Sequence, residues 1–143
     1  MEQIYLAGSF SRLNEIQEYA QELREKGYMV DCRWLQGLHQ VHQGAEKVES
    51  TKDSMPPEAL LFAKDDIEDL QKADTIICFT ERPNSPRSRG GRHVEFGLAL
   101  AWKKEIFCIG PCENIFYVLP QVTVYKDWES FYQRLRVKKD TKK

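Results

Sequence analysis

No run in this 143-residue chain approaches the roughly 20 apolar residues that a membrane-spanning helix needs. An excess of either charge is also missing: 21 Lys and Arg face 22 Asp and Glu, for a formal net charge of -1. That balance argues against a general nucleic-acid surface, which carries a clear basic excess. Cysteine is scarce, and Cys32, Cys78, Cys108 and Cys112 include no CxxC pair. Three of them lie in apolar, strand-like runs, so free thiols in a reducing cytoplasm are expected. Among the three histidines, His39 and His42 stand in a polar stretch with no third ligand in register, so no metal is expected. The Gly8-Ser9 turn fits neither GxGxxG nor GxxxxGK(S/T), which removes nucleotide-cofactor sites of those kinds. Linkers, internal repeats and low-complexity segments are absent too. The chain begins at once with strand-like Ile4-Tyr5-Leu6-Ala7, so a secretory leader is not expected and a cytoplasmic location is.

What is present is a composition of 41% hydrophobic and 30% charged residues, the profile of one ordinary soluble domain. Residues 1–136 read as that domain. The basic end, 137–143, reads as a solvated, disordered tail. Apolar runs alternate with amphipathic stretches. Strands are predicted at 4–7, 28–32, 75–79, 105–109 and 122–125. Helices are predicted from Ser11, a plausible cap, to Gly27, from Pro56-Pro57 to Lys72, after Gly91, and from Trp128 to Arg136. Such alternation implies an α/β fold, a parallel sheet with helices on both faces. The polar stretch 36–55 has no period, and loops of that length in compact domains are commonly functional. Arg82, Arg87, Arg89 and Arg92 crowd one region that would suit a phosphate or a carboxylate.

Two acids fall where apolar residues are expected. After Gly90-Gly91, Glu95, Leu98, Ala99 and Trp102 recur at i, i+3, i+4 and i+7, so a carboxylate heads an apolar stripe. Such a placement is costly unless the group is used. In the preceding helix Ala59, Phe62, Ala63, Ile67 and Leu70 form a stripe that contains Asp66, whereas Asp65, Glu68 and Asp69 read as a solvated face. Taken alone, Asp66 reads first as a border residue or a loop cap, and the presence of Glu95 shifts the balance. Paired carboxylates serve glycosyl transfer: one attacks the anomeric carbon, the other manages the proton. Tyr5 could orient the nucleophile, with a core tyrosine as the alternative. Gly8, Ser9, Phe10 and Gly91 follow or flank strand ends, where open sheets bind ligands. Trp34 could stack on a base or pack in the interior.

Together these residues resemble the nucleoside 2-deoxyribosyltransferase family, which includes the 2'-deoxynucleoside 5'-monophosphate N-glycosidases. The resemblance rests on Ile4-Tyr5-Leu6-Ala7-Gly8-Ser9, on Asp66 seven residues before Ala73, on Gly91-Arg92-His93-Val94-Glu95-Phe96-Gly97, and on Asn114 after the fourth strand. It implies a flavodoxin-like (Rossmann-like) five-stranded parallel sheet and a homo-oligomer, with neither metal nor cofactor. Glu95 would be the nucleophile that forms a deoxyribosyl ester, Asp66 the acid at the departing base, and Tyr5 the positioning group. Asn114 and Phe116 would reach a neighbouring subunit's site. Arg89 stands where several transferases carry a base-reading aspartate.

The implied activity is cleavage of the N-glycosidic bond of 2'-deoxyribonucleosides, or of their 5'-monophosphates, with retention. Deoxyribose would pass to another nucleobase, as in purine or pyrimidine salvage, or to water. The implied partners are a small deoxynucleoside or deoxynucleotide and a nucleobase. The rival reading is a non-catalytic nucleotide-binding or sensor module on the same scaffold.

Overall fold

The structure, a computed structural model, describes residues 1–37, 55–82 and 90–138. Expectations for the stretch 36–55, for Arg87 and Arg89, for His39 and His42 and for most of the basic tail fall wholly or largely outside those residues. Five strands form one sheet: β1 (Gln3–Ala7), β2 (Met29–Val30), β3 (Thr75–Phe79), β4 (Glu105–Ile109) and β5 (Val122–Tyr125), in the order β2-β1-β3-β4-β5. Every pairing is parallel, with Ile4 opposite Val30 and Thr75, and Cys78 opposite Cys108. The five-stranded flavodoxin-like α/β fold is thus present.

Among the described residues four α-helices join or follow the strands: α1 (Leu13–Glu25), α2 (Glu58–Lys72), α3 (Gly91–Ala101) and α4 (Trp128–Arg134). α1 packs with α4 through stacked Tyr19 and Trp128 on one face of the sheet, while α2 and α3 are in contact on the other. β3 is buried at all five positions, as expected of a central parallel strand covered on both faces. The core gathers Ile4, Leu6, Ile16, Leu23, Leu70, Ile76, Ile77 and Ile106, each at 1% exposure or less.

Local details correct several expectations. β2 is only two residues long, because Cys32 turns inward to accept the Leu6 amide at its Sγ (3.3 Å) and the chain enters a 3-10 turn, Arg33–Gln36. Ser9, not Ser11, is the cap at this end: its Oγ accepts the Ser11 amide and opens a 3-10 turn, Phe10–Arg12, before α1. α1 ends at Glu25, and Gly27 adopts the left-handed conformation beyond it (φ 98°). On α2, Ala63 and Ile67 face outward. Asp69, expected on a solvated face, is buried instead and accepts the Arg33 amide (2.8 Å) and its guanidinium (2.9 Å). Asp65 also pairs with Arg33 (3.0 Å), so these acids fasten α2 to the turn that follows β2. On α3 the buried positions are Arg92, Phe96 and Ala99, and Trp102 is exposed. The inner stripe is therefore centred slightly away from the predicted one.

Candidate active site

In the strand order, β1 is followed by a helix on one face and β3 by a helix on the other. Open α/β sheets hold ligands at such a switch point, outside the carboxyl ends of the strands. Tyr5 lies in the middle of β1 at 1% exposure, and a buried phenol needs a hydrogen-bond partner. That partner is Glu95: the Tyr5 hydroxyl donates to Glu95 Oε2 across 90 residues of sequence.

α3 delivers Glu95 from a glycine entry. Gly90 takes φ 88°, a conformation that disfavours other residues, and immediately precedes the helix. At Gly91 an added Cβ would meet nothing within 4 Å among the described residues, so no packing demand from them explains that glycine. The head of α3 consequently keeps bare backbone one turn before the carboxylate. Gly8 differs: an added Cβ would stand 2.5 Å from Ile16 Cδ1, so close packing of β1 on α1 accounts for it.

Glu95 is partly buried, and its carboxyl is pushed up to about 8. Burial is the main cause. The Tyr5 hydrogen bond opposes it, and the charge of Asp66 adds to it. Asp66, on the inward side of α2, acts electrostatically on Tyr5 as well. The two carboxylates and the phenol thus occupy one neighbourhood, supplied by three elements. Tyr5 itself is held well above the usual tyrosine range by burial and then by Glu95, so it remains a donor.

The other predicted residues divide. Ser9 is buried, with its Oγ shared between the Ser11 amide and hydroxyl (3.3 and 2.8 Å). Phe10 leans on Trp34, with ring centroids 6.4 Å apart. Trp34 is 5% exposed and donates its indole N–H to the Leu6 carbonyl (2.8 Å), which makes it an interior packing residue with its donor spent. Asn114 and Phe116 are exposed on the loop after β4. Asn114 Oδ1 accepts the Phe116 amide (3.0 Å) and caps the 3-10 turn Ile115–Val118. Among the described residues neither forms a hydrogen bond with Glu95. Arg89 lies outside the described residues. Among the described residues no group of three or more His, Cys, Asp or Glu could hold a metal ion.

Sequence reasoning missed one pair beside the site. Arg92, one turn before Glu95 on α3, is buried and forms a two-pronged ion pair with Glu113. Tyr117 also donates to Glu113 (3.4 Å), and its ring meets Phe96 edge-on at 4.9 Å. The helical period could have found Arg92, because positions 92, 95, 96 and 99 share a face.

Comparison with known proteins supports the fold. The chain is similar to a 2-deoxyribosyltransferase from Bacillus psychrosaccharolyticus, at TM-score 0.62 and 19% identity over 91% of this chain and 90% of that one. It is similar to a CMP N-glycosidase from Clostridium botulinum, at TM-score 0.56 and 19% identity over 93% and 97%. A conserved protein from Enterococcus faecalis follows at 0.52 and 12% over 93% and 96%. No family model matches the chain, and no curated protein matches its sequence. At these identities the likeness establishes a shared fold.

Proposed function

We propose that this chain cleaves the N-glycosidic bond of 2'-deoxyribonucleosides, or of their 5'-monophosphates, and passes the deoxyribose to another nucleobase. One observation carries the reading: a half-buried carboxylate, Glu95, holds a buried tyrosine hydroxyl and lies within electrostatic reach of a second carboxylate, Asp66. The named activities of the two structural neighbours, deoxyribosyl transfer and CMP N-glycoside cleavage, support the same class.

In this mechanism Glu95 attacks C1' of the sugar. The C1'–N bond breaks, its electron pair leaves with the base, and Asp66 supplies the proton the base needs. A deoxyribosyl ester on Glu95 remains. An incoming base then attacks C1', its N–H proton returns to Asp66, the ester bond breaks, and Glu95 is released as carboxylate. Two inversions give retention. Tyr5 donates to the ionised nucleophile and aims it. If water attacks the ester in place of a base, the enzyme is an N-glycosidase, and the CMP N-glycosidase likeness keeps that second reading in play.

The site is proposed to be completed in a homo-oligomer. Ile115, Phe116 and Val118 are exposed on the turn capped by Asn114, and Leu60, Leu61, Ile67 and Val94 are exposed on α2 and α3. Such apolar surface suits burial against a second copy.

The test is incubation of the protein with a deoxynucleoside and a different free base, followed by chromatography. Exchanged nucleoside supports transfer, and free base without exchange supports hydrolysis. Unchanged substrate across deoxynucleosides and their monophosphates would mean a non-catalytic nucleotide-binding module instead.

A further inference from the structure

A second opening lies on the other side of the sheet, where α1 and α4 pack. It is a cavity of about 580 Å³, within the size range of small-molecule sites. Phe79, Ile109 and the residues just after β3, β4 and β5 line it, so it too stands outside the carboxyl ends of strands. Gly110 forms part of it. Its φ is 120°, and a Cβ there would come 2.4 Å from Thr80 Oγ1, so only glycine fits at that point of the lining, next to Pro111.

The charged lining is unevenly committed. Arg12 binds Glu15 (2.8 Å), Glu81 (2.9 Å) and the Thr80 carbonyl (3.1 Å), and Tyr19 donates its hydroxyl to Glu15 (2.7 Å). Asp127 accepts the Ser130 amide (2.8 Å) at the start of α4. Arg82 and Lys126 remain: both are exposed, and neither forms an ion pair among the described residues. Arg12 engages only Oε2 of Glu81, which leaves Oε1 as an acceptor. The aromatic wall is closed on itself. Tyr19 stacks on Phe79 and Trp128 at 5.3 and 4.3 Å, and the latter two are buried, so a flat base finds no stacking platform.

We propose that this cavity binds a hydroxylated phosphate ester, a sugar phosphate in its simplest form. Arg82 and Lys126 take the phosphate, and Glu81 accepts a hydroxyl. Guanidinium and ammonium on long side chains are the natural phosphate partners. The site is separated from Glu95 by the sheet and does not depend on the activity proposed there.

Amide shifts of the full chain, titrated with ribose 5-phosphate, test it, with inorganic phosphate and free ribose as parallel arms. Saturable shifts are expected at Glu81, Gly110 and Lys126, with ribose 5-phosphate binding more tightly than either arm. Arg82→Glu and Lys126→Glu should each weaken binding about tenfold, the ratio expected for a lost charge-assisted hydrogen bond. Both residues are exposed, so the thermal midpoint should hold. Glu95→Gln should leave the affinity unchanged. Binding that survives both reversals, shifts confined to Tyr5, Gly91 and Glu95, equal affinity for inorganic phosphate, or no saturation would each overturn the proposal.

Discussion

Glu95 illustrates how one side chain can set both activity and stability. Burial pushes its carboxyl up to about 8, and only the ionised form attacks carbon, so kcat/KM should rise with pH through about 8. A pH–rate profile that is flat from 6 to 9 would remove Glu95 from the nucleophile's role. The same shift acts on folding with the opposite sense. Between the ordinary value of 4.5 and about 8 the folded chain retains a proton that the unfolded chain has released. The contribution from Glu95 is full below 4.5 and disappears as pH rises through 8. Glu95→Gln should therefore abolish turnover yet raise the thermal midpoint at pH 8, by about 2–8 °C per kcal/mol recovered. Tyr5→Phe removes one hydrogen bond to a charged group and should lower kcat by about 10–100-fold. Asp66→Asn should cost on the order of 10²–10⁴-fold if it manages the proton of the base. Both are read by steady-state kinetics.

At the scale of elements, the central strands were legible because β-branched and aromatic runs bounded by polar residues leave little choice. β3, β4 and β5 occupy the predicted positions. β2 was over-read, since its end is decided by Cys32 meeting Leu6, a partner 26 residues away. The inner face of α2 was misjudged for the same reason. Asp69 looks solvated in isolation, and only Arg33, from another element, explains its burial. Trp34 could not be placed from sequence, because its donor finds a backbone carbonyl on β1. Glu95 and Asp66 were legible as acids among apolar residues, and Tyr5 as a candidate to orient Glu95; only the meeting of three elements decides between that role and a core tyrosine bonded elsewhere. α3 is also tied to the loop after β4 by Arg92 and Glu113. Glu113→Ala would remove the carboxylate from a buried guanidinium and should cost about 3 kcal/mol, measurable by urea denaturation.

The whole molecule exposes an apolar collar on α2, α3 and the turn after β4, and an oligomer would bury it. Sedimentation should therefore report a species larger than the 16.7 kDa chain, and Phe116→Asp should shift it toward monomer with loss of activity. Mixing inactive Asn114→Ala with inactive Glu95→Gln should restore turnover if each subunit lends its turn to its neighbour. Failure of that mixture to recover activity would confine the site to a single chain.

The thiols set out along this scaffold offer a practical consequence. Cys32, Cys78 and Cys108 are sealed in the interior, and burial pushes the first well up; Cys78 is raised chiefly through its contact with Cys108. Cys112 alone is exposed, two residues before Asn114. A maleimide dye added to the native protein should attach there once per chain, leaving a fluorescent reporter at the edge where subunits would meet, without engineering a single residue.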